Sequence, residues 1–296
     1  MTIGELRLLC QNRTAQQELA HTDDEISPTS IETAINKRIK FEKEAEQNPF
    51  ALLAHKPNYI ILSNNLASPN EQPFNDAFPN EDAHFQPWET KFQISLKVPV
   101  IRGLFGKADL FAGYTNRSFW QQFNKVGSSP FRDSNHELET WLSFNNDSEF
   151  LGFRNRVIRT GIVHQSNGQS GVLSRSWNRV YADFIFERHN WYLSLKPWWR
   201  IPEDNDEDDN PDIDDYLGHF ELSGVYKKDQ HSFDFMVRNN LKFGDNHGAL
   251  QLGWSFPLSK NVRGYVQWFN GYGESLIDYD SYSNSLGFGF QLADWL

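Results

Sequence analysis

The chain has 296 residues, of which 15% are aromatic, with a net charge of −11 and a mean hydropathy of −0.63. This length suits two ordinary domains or one large β-barrel. The charge argues against a nucleic-acid partner, because Lys and Arg are too few to neutralise phosphates. A polytopic helical membrane protein is also excluded, since a spanning helix needs about 20 mostly apolar residues and apolar runs such as 59–62 are far shorter.

The N-terminal residues 1–47 form a polar arm. Thr29 and Glu32 have capping-box spacing and predict a short helix from about Ile31, the alternative being a disordered arm. Cys10 is the only cysteine, so no intramolecular disulfide can form. Residues 1–11 lack the basic start, apolar core and small-residue cleavage site of an export signal. This conflicts with the exported barrel predicted below, unless the true start lies upstream.

From residue 48 onward, apolar and polar side chains alternate with the period of β-strands. In the stretch 91–100 the apolar residues occupy the even positions, whereas the odd positions are mostly polar. The stretches 191–200, 249–258 and 285–292 repeat this alternation. Each of these segments therefore predicts a strand with one apolar and one polar face.

Twelve segments are predicted as strands, at 57–65, 90–101, 107–118, 136–146, 152–165, 176–187, 189–201, 215–227, 231–241, 248–258, 261–271 and 281–294. Connections after even-numbered segments are short and those after odd-numbered segments are mostly long, and Trp residues stand near segment ends, as in outer-membrane barrels. We therefore expect an all-β fold: a twelve-stranded antiparallel transmembrane β-barrel over 48–296, preceded by the arm. The alternative is a soluble sandwich or lipocalin-like barrel, in which no rule links loop length to strand parity.

A candidate catalytic pair lies at the end of the fifth segment. In an extended strand His164 and Ser166 project from the same face about 7 Å apart, so the imidazole can reach the hydroxyl as base and nucleophile. Asn178 on the next segment can hold the other ring nitrogen as a neutral acceptor, and it shares the parity of the lipid-facing row that includes Val180. The face of His164 is ambiguous, because Arg154, Arg156 and Thr160 share it. Taken alone, the motif also fits a polar strand end that enters a loop.

The run 203–215 contains nine acidic residues. Asp204, Asp206 and Asp208 have calcium-loop spacing, but Asp209 stands where an EF-hand requires Gly, and no helices are predicted to flank the run. We therefore interpret the run as a solvated loop rather than a second cation site.

The segment 164–179 resembles the signature of the outer-membrane phospholipase A family of Gram-negative bacteria. Five further segments extend the resemblance to the C-terminus, at 48–50, 128–132, 196–198, 210–213 and 271–279. The resemblance implies a twelve-stranded barrel with an active site on its outer surface, at the outer leaflet, that hydrolyses sn-1 and sn-2 acyl esters of phospholipids and lysophospholipids. Ser166 would be the nucleophile, His164 the general base, and Asn178 the residue that orients His164.

The same resemblance implies activation by calcium and by dimerisation of a resting monomer. One Ca²⁺ per monomer would be bound in the active dimer by the backbone carbonyl of Gln169, the hydroxyl of Ser174 and the backbone carbonyl of the partner subunit's Ser128. Hard oxygen ligands of this kind suit Ca²⁺. A calcium-bound water and the Ser166 backbone N–H would form the oxyanion hole.

Four positions depart from the family pattern: Gln165 replaces Asp, Gln169 replaces Arg, Asn116 replaces a Gln at the dimer contact, and Leu296 replaces a terminal Phe. The expected calcium ligand at position 169 is a backbone carbonyl, so it does not depend on the side chain. The shorter Asn116 is expected to alter hydrogen bonding at the dimer contact. The alternative functions are a catalytically silent barrel that serves as a passive channel or structural protein, and a soluble lipid-binding barrel. Intact His164, Ser166 and Asn178 argue against the silent barrel.

Overall fold

The computed structural model describes residues 34–45, 48, 52–80, 84–126, 128–204, 206, 208–260 and 262–293. Its strands are β1 (Leu53–Ala54), β2 (Asn58–Asn65), β3 (Trp88–Leu104), β4 (Ala108–Trp120), β5 (Phe131–Phe150), β6 (Phe153–Ser166), β7 (Ser176–Arg188), β8 (Trp191–Ile201), β9 (Phe220–Lys228), β10 (His231–Asn239), β11 (Gly248–Pro257), β12 (Arg263–Tyr272) and β13 (Tyr282–Ala293). Its α-helices are α1 (Ala34–Ala45), α2 (Gln72–Ala77) and α3 (Ile213–Leu217).

Strands β2 to β13 form one closed antiparallel barrel. Each strand pairs with its neighbours in sequence, and β13 pairs with β2 to close the sheet. The short β1 adds to β3 beside the start of β2, with Leu53 opposite Lys97. The twelve-stranded antiparallel barrel predicted from the alternation is therefore confirmed.

The strand starts differ most from the prediction in β9 and β5. Strand β9 begins at Phe220 rather than near 215, because α3 occupies residues 213–217 and buries Ile213 completely. Strand β5 begins at Phe131 rather than near 136, so the preceding loop is shorter than expected.

Part of the predicted N-terminal helix lies within the described residues. Helix α1 begins at Ala34 and overlaps the helix expected from about Ile31. Thr29, Glu32, Cys10 and residues 1–11, on which the other N-terminal expectations rest, lie outside the described residues, as does Leu296.

The barrel is polar inside and apolar outside. The inward side chains of Lys91, Ser95 and Gln267 are at most 2% exposed, whereas outward Ile94 and Leu252 are 49% and 43% exposed. A soluble barrel has the opposite distribution, since water favours polar groups on the outside. An apolar band around a closed barrel is the arrangement of outer-membrane proteins. None of the α-helices in the described part of the chain is long and apolar enough to cross a membrane.

Helix α1 fills the end of the barrel where the connections between strands are short. Ile35 packs against the inward side chains of Val157, Ile185 and Tyr192. Glu42 forms an ion pair with Lys97 of β3 at 2.8 Å. Residues 34–45 of the polar arm thus supply a plug for the lumen at this end.

The opposite end is filled by the loop at 273–281, between β12 and β13. Glu274 accepts a hydrogen bond from the buried Lys91 ammonium at 3.0 Å, and Ile277 is 1% exposed. Gly271 permits the inward turn because its φ is +129° and a Cβ there would lie 2.2 Å from the carbonyl oxygen of Gly248. The loop therefore packs back into the lumen from the end with long connections.

Candidate active site

The face of His164, which the sequence left ambiguous, is outward. Val163 and Gln165 on either side of it are buried in the barrel, and His164 is exposed. A β-bulge between Asn155 and Val157 interrupts the pairing of β6 with β7. Arg156 is the residue without a register partner at this bulge, and it forms ion pairs with Asp147 and Glu187, so its charge gives no information about the face of His164.

His164 and Asn178 lie directly opposite each other on β6 and β7. The His164 Nδ1 atom lies 2.9 Å from the Asn178 Oδ1 atom. An amide oxygen can only accept a hydrogen bond, so in this arrangement Nδ1 carries the proton and donates it. The other ring nitrogen, Nε2, then has a free lone pair and can act as a base.

Ser166 lies two residues beyond His164 on the same outward row, at the last position of β6. It is half-buried and lies opposite His136 of β5 and Ser176 of β7. Its hydroxyl makes no hydrogen bond within the described residues. The structure therefore places a free hydroxyl next to the His164–Asn178 pair, on the outside of the barrel.

Asn167 braces the loop at 167–175, which carries Gln169 and Ser174. Its side chain is 3% exposed, and its Nδ2 donates a hydrogen bond to the carbonyl of Leu173 at 2.9 Å. Its Oδ1 accepts hydrogen bonds from the backbone N–H groups of Gln169 and Arg175. This role of Asn167 was not predicted from the sequence, although Asn often makes side-chain bonds of this kind in turns.

The three proposed calcium ligands lie at the end of the barrel with long connections. The Ser174 hydroxyl donates a hydrogen bond to Asp209 Oδ2 at 2.5 Å. Ser128 is exposed on the loop at 121–130, and it adopts a left-handed φ of +58°. Ser128 makes no hydrogen bond to Gln169 or Ser174 of the same chain among the described residues. The structure thus groups two of the expected ligands on one loop and places the third on another.

Only part of the acidic run at 203–215 behaves as the solvated loop that we expected. Arg200 binds Asp208 through two hydrogen bonds of 2.7 and 2.8 Å. Asn210 is fully buried, and its Oδ1 accepts the backbone N–H of Ser176 at 2.9 Å. Asn178 Nδ2 donates a hydrogen bond to Glu203 Oε1 at 2.9 Å. The run therefore folds over the start of β7 and contacts the candidate active site.

Further polar side chains lie on the outer surface beside Ser166. Tyr114 Oη lies 2.7 Å from His136 Nδ1, and Asn116 Nδ2 lies 3.4 Å from the same nitrogen. Asn116, His136 and Ser166 are opposite each other across β4, β5 and β6. The outward position of Asn116 agrees with a place at a surface contact. His136 was not predicted as a site residue, although the alternation along β5 places it on the outer face.

Comparison with known proteins identifies the family. The family model described as Phospholipase A1 matches residues 35–292. A Phospholipase A1 of Salmonella typhimurium is 38% identical over 252 residues, which are 85% of this chain and 84% of that protein. The structure of outer membrane phospholipase A from Escherichia coli has a TM-score of 0.77 and 37% identity, and covers 83% of this chain and 100% of that chain.

The Salmonella typhi outer membrane phospholipase, solved as a dimer with bound calcium, has a TM-score of 0.79 and 36% identity, with 86% of this chain and 97% of that chain covered. Its fold and the family model agree with the resemblance carried by the motifs, which is therefore confirmed. The chain belongs to the phospholipase A1 family.

Proposed function

We propose that this protein is a calcium-dependent outer-membrane phospholipase A that hydrolyses sn-1 and sn-2 acyl esters of phospholipids and lysophospholipids. The observation that carries the proposal is the His164–Asn178 hydrogen bond of 2.9 Å, beside a Ser166 hydroxyl that makes no hydrogen bond to any residue the structure describes. Family membership supports the substrate class. The outward position of all three side chains supports a substrate that arrives from the surrounding lipid.

In the proposed reaction Ser166 Oγ attacks the ester carbonyl carbon. His164 Nε2 accepts the hydroxyl proton and then gives it to the leaving lysophospholipid oxygen, which leaves an acyl group on Ser166. A water molecule, deprotonated by the same nitrogen, attacks the acyl carbonyl carbon; the bond to Ser166 Oγ breaks, the fatty acid leaves, and His164 returns the proton to Ser166 Oγ. Asn178 keeps Nδ1 protonated throughout, so that Nε2 can act as acceptor and donor in turn.

A neutral amide suits the position of Asn178. The side chain lies at the end of an outward row that continues with exposed Val180. A carboxylate in direct contact with hydrocarbon would carry a large desolvation cost. Asn offers the same acceptor oxygen to His164 without that cost.

Calcium binding and dimerisation are part of the proposal. The backbone carbonyl of Gln169, the hydroxyl of Ser174 and the backbone carbonyl of the partner subunit's Ser128 would hold the ion. The donor chemistry fits, since all three are hard oxygen ligands, and the Ser174 oxygen keeps its lone pairs while its proton points at Asp209. Bound Ca²⁺ would supply positive charge for the developing oxyanion. The resting form would be a monomer that lacks the partner's ligand.

The orientation of the barrel follows from the same arguments. The active-site residues lie at the end with long connections, which in outer-membrane barrels faces the cell exterior. We therefore place the active site at the outer leaflet.

A passive channel is the alternative function, and the lumen argues against it. Helix α1 fills one end of the barrel, and the loop at 273–281 fills the other. Inside the barrel, Lys91 of β3 forms an ion pair with Glu274 of this loop. A cavity of about 210 Å³ remains between the helix and the loop, and its lining includes charged side chains such as Glu137 and Arg179.

The decisive experiment is the release of fatty acid from detergent-dispersed phospholipid with Ca²⁺ or with EDTA. Ser166→Ala should abolish release while the folded barrel keeps its heat-modifiable migration on gels. Ser170→Ala, which removes a hydroxyl from the exposed part of the neighbouring loop, is the matched control. Undiminished release by Ser166→Ala would refute the nucleophile, and release that persists in EDTA would refute the calcium requirement.

A further inference from the structure

The amide group of Asn178 is held at both ends. Its Oδ1 faces His164 and its Nδ2 faces Glu203, each at 2.9 Å. In the β7–β8 register Asn178 lies opposite Ile201, the last residue of β8. Glu203 follows two residues later, where the chain leaves the strand, and is half-buried. The side chain of Glu203 thus reaches the outer end of the proposed catalytic triad.

The orientation of the Asn178 amide decides which His164 nitrogen is the base. The two ends of an amide have nearly the same shape, so the group can rotate by 180° and exchange its oxygen and its NH₂. After such a rotation the NH₂ would donate to His164 Nδ1, and the ring proton would move to Nε2. The nitrogen that should accept the Ser166 proton would then already carry one.

A carboxylate can bind only one of these two orientations. An ionised Glu accepts hydrogen bonds and has no proton to donate. With the observed orientation Glu203 receives the Asn178 NH₂ group. The rotated amide would instead bring its oxygen against the carboxylate, which places two acceptors in contact and costs a hydrogen bond.

The loop that carries Glu203 is itself anchored. Arg200 binds the carboxylate of Asp208, and Asn210 accepts the backbone N–H of Ser176. These contacts tie the segment to β7 and β8. The Glu203 carboxylate is therefore held beside the NH₂ group of Asn178.

Building on the proposed esterase function, we propose that Glu203 is a positioning residue that fixes the amide orientation of Asn178 and, through it, the reactive tautomer of His164. The triad is thereby extended by a fourth member that never touches the substrate. This arrangement keeps a negative charge behind the neutral Asn178 and away from the imidazole.

The first test compares three variants by steady-state kinetics at saturating Ca²⁺. Glu203→Ala should lower kcat about tenfold, the size expected for loss of one orienting hydrogen bond, with KM unchanged. The kcat of Glu203→Gln should lie between those of Glu203→Ala and the native protein. The Gln oxygen can still accept a hydrogen bond from Asn178, but the Gln NH₂ group can also donate to the oxygen of the rotated Asn178 amide. Asp204→Asn, which removes a charge from the neighbouring residue of the same loop, should leave kcat unchanged. Heat-modifiable migration shows that each variant is folded.

The second test repeats Glu203→Ala in an Asn178→Asp background. A carboxylate at position 178 has no NH₂ group to orient, and its charge repels that of Glu203. Removal of Glu203 should therefore leave kcat unchanged or increase it in this background, although it lowers kcat in the native one. A purely structural role of Glu203 would lower kcat equally in both backgrounds.

The outcomes separate the two proposals. An active Ser166→Ala variant overturns the proposed function itself. An inactive Ser166→Ala variant combined with a native kcat for Glu203→Ala overturns only the role of Glu203. An equal loss of kcat on removing Glu203 in both Asn178 backgrounds also overturns that role.

Discussion

His164 and Asn178 are cross-strand partners on the outer face of the barrel, and 2.9 Å separates the ring Nδ1 from the amide Oδ1. Two neighbouring strands hold them through the backbone ladder, so their separation depends on no loop. Cross-strand partners on one face are the closest side-chain neighbours in an antiparallel sheet. The sheet thus positions the proposed base, and the loops at its end carry the proposed calcium ligands.

Truncation of Asn178 should slow the chemical step. We expect Asn178→Ala to lower kcat about tenfold with little change in KM, because one hydrogen bond to His164 is lost. The check is fatty-acid release at saturating phospholipid and Ca²⁺. Val180→Ala, on the same outward row, is the control and should keep native kcat. A native kcat for Asn178→Ala would mean that His164 needs no orienting partner.

Loss of the Ser174 hydroxyl should weaken the response to calcium. Ser174→Ala should raise the Ca²⁺ concentration for half-maximal activity about tenfold, as expected when one ligand of a cation is removed. The measurement is a Ca²⁺ titration of activity in buffered EGTA. Ser170→Ala removes a hydroxyl from the same loop and should leave the midpoint in place. If both variants titrate like the native protein, Ser174 is not a ligand.

Asn116 should contribute to dimer stability. Asn116→Leu removes an outward polar group beside His136, and polar contacts between membrane segments contribute about 0.6 kcal/mol. The dissociation constant of the dimer should therefore rise roughly threefold. Crosslinking over a range of protein concentrations, with Ca²⁺ and substrate, measures it. Asn270→Leu, an outward substitution on β12, should crosslink like the native chain, and the prediction fails if both variants behave alike.

Replacement of Lys91 should destabilise the barrel. Lys91 is fully buried and contacts both Gln267 and Glu274. Lys91→Met leaves the Glu274 carboxylate without its cation, which typically costs 3–5 kcal/mol, so we expect a loss of about that size. Unfolding in urea, followed by Trp fluorescence in detergent, measures the change. Adding Glu274→Gln should recover part of the stability, and an additive further loss would contradict the pairing.

Helix α1 should leave the lumen in acid. Burial alone would raise the pKa of Glu42, but the charges of Lys97 and Arg38 outweigh it and hold this pKa below its ordinary value of 4.5. The ion pair therefore stabilises docking above pH 4.5 and is lost as the pH falls through the lowered pKa. Hydrogen exchange in residues 34–45 should accelerate in that range. Glu42→Gln should remove the transition and Glu44→Gln should keep it, and a transition retained in Glu42→Gln would assign it elsewhere.

The alternation of apolar and polar residues was sufficient to predict the barrel. In a strand each position belongs to one of two faces, so Ile94 outside and Ser95 inside can be read directly from the order of residues. The same parity placed Asn178 on the outer face. It left the face of His164 open, because Arg156 shares its parity, and only the burial of Val163 and Gln165 on either side shows that His164 is outward.

Contacts made by loops could not be predicted in this way. Glu203 contacts Asn178 because of the path that the chain takes after β8, and nothing in the acidic run distinguishes this residue from Asp204. The docking of α1 was equally hidden, since the few apolar residues of the arm, such as Ile35, give no indication that a barrel will receive them. Motif resemblance supplied the candidate ligands, whereas the geometry that surrounds them required the fold.

The filled lumen has a consequence for how an enzyme built this way meets its substrate. With both ends of the barrel occupied and His164 exposed on the outer wall, we expect substrate to reach the proposed site by lateral diffusion within a lipid sheet. The effective concentration is then a number of phospholipids per unit area of interface rather than per litre. Adding inert detergent at constant total phospholipid would lower the number of phospholipids per unit area of interface. Turnover should then slow, even though the phospholipid concentration per litre is unchanged.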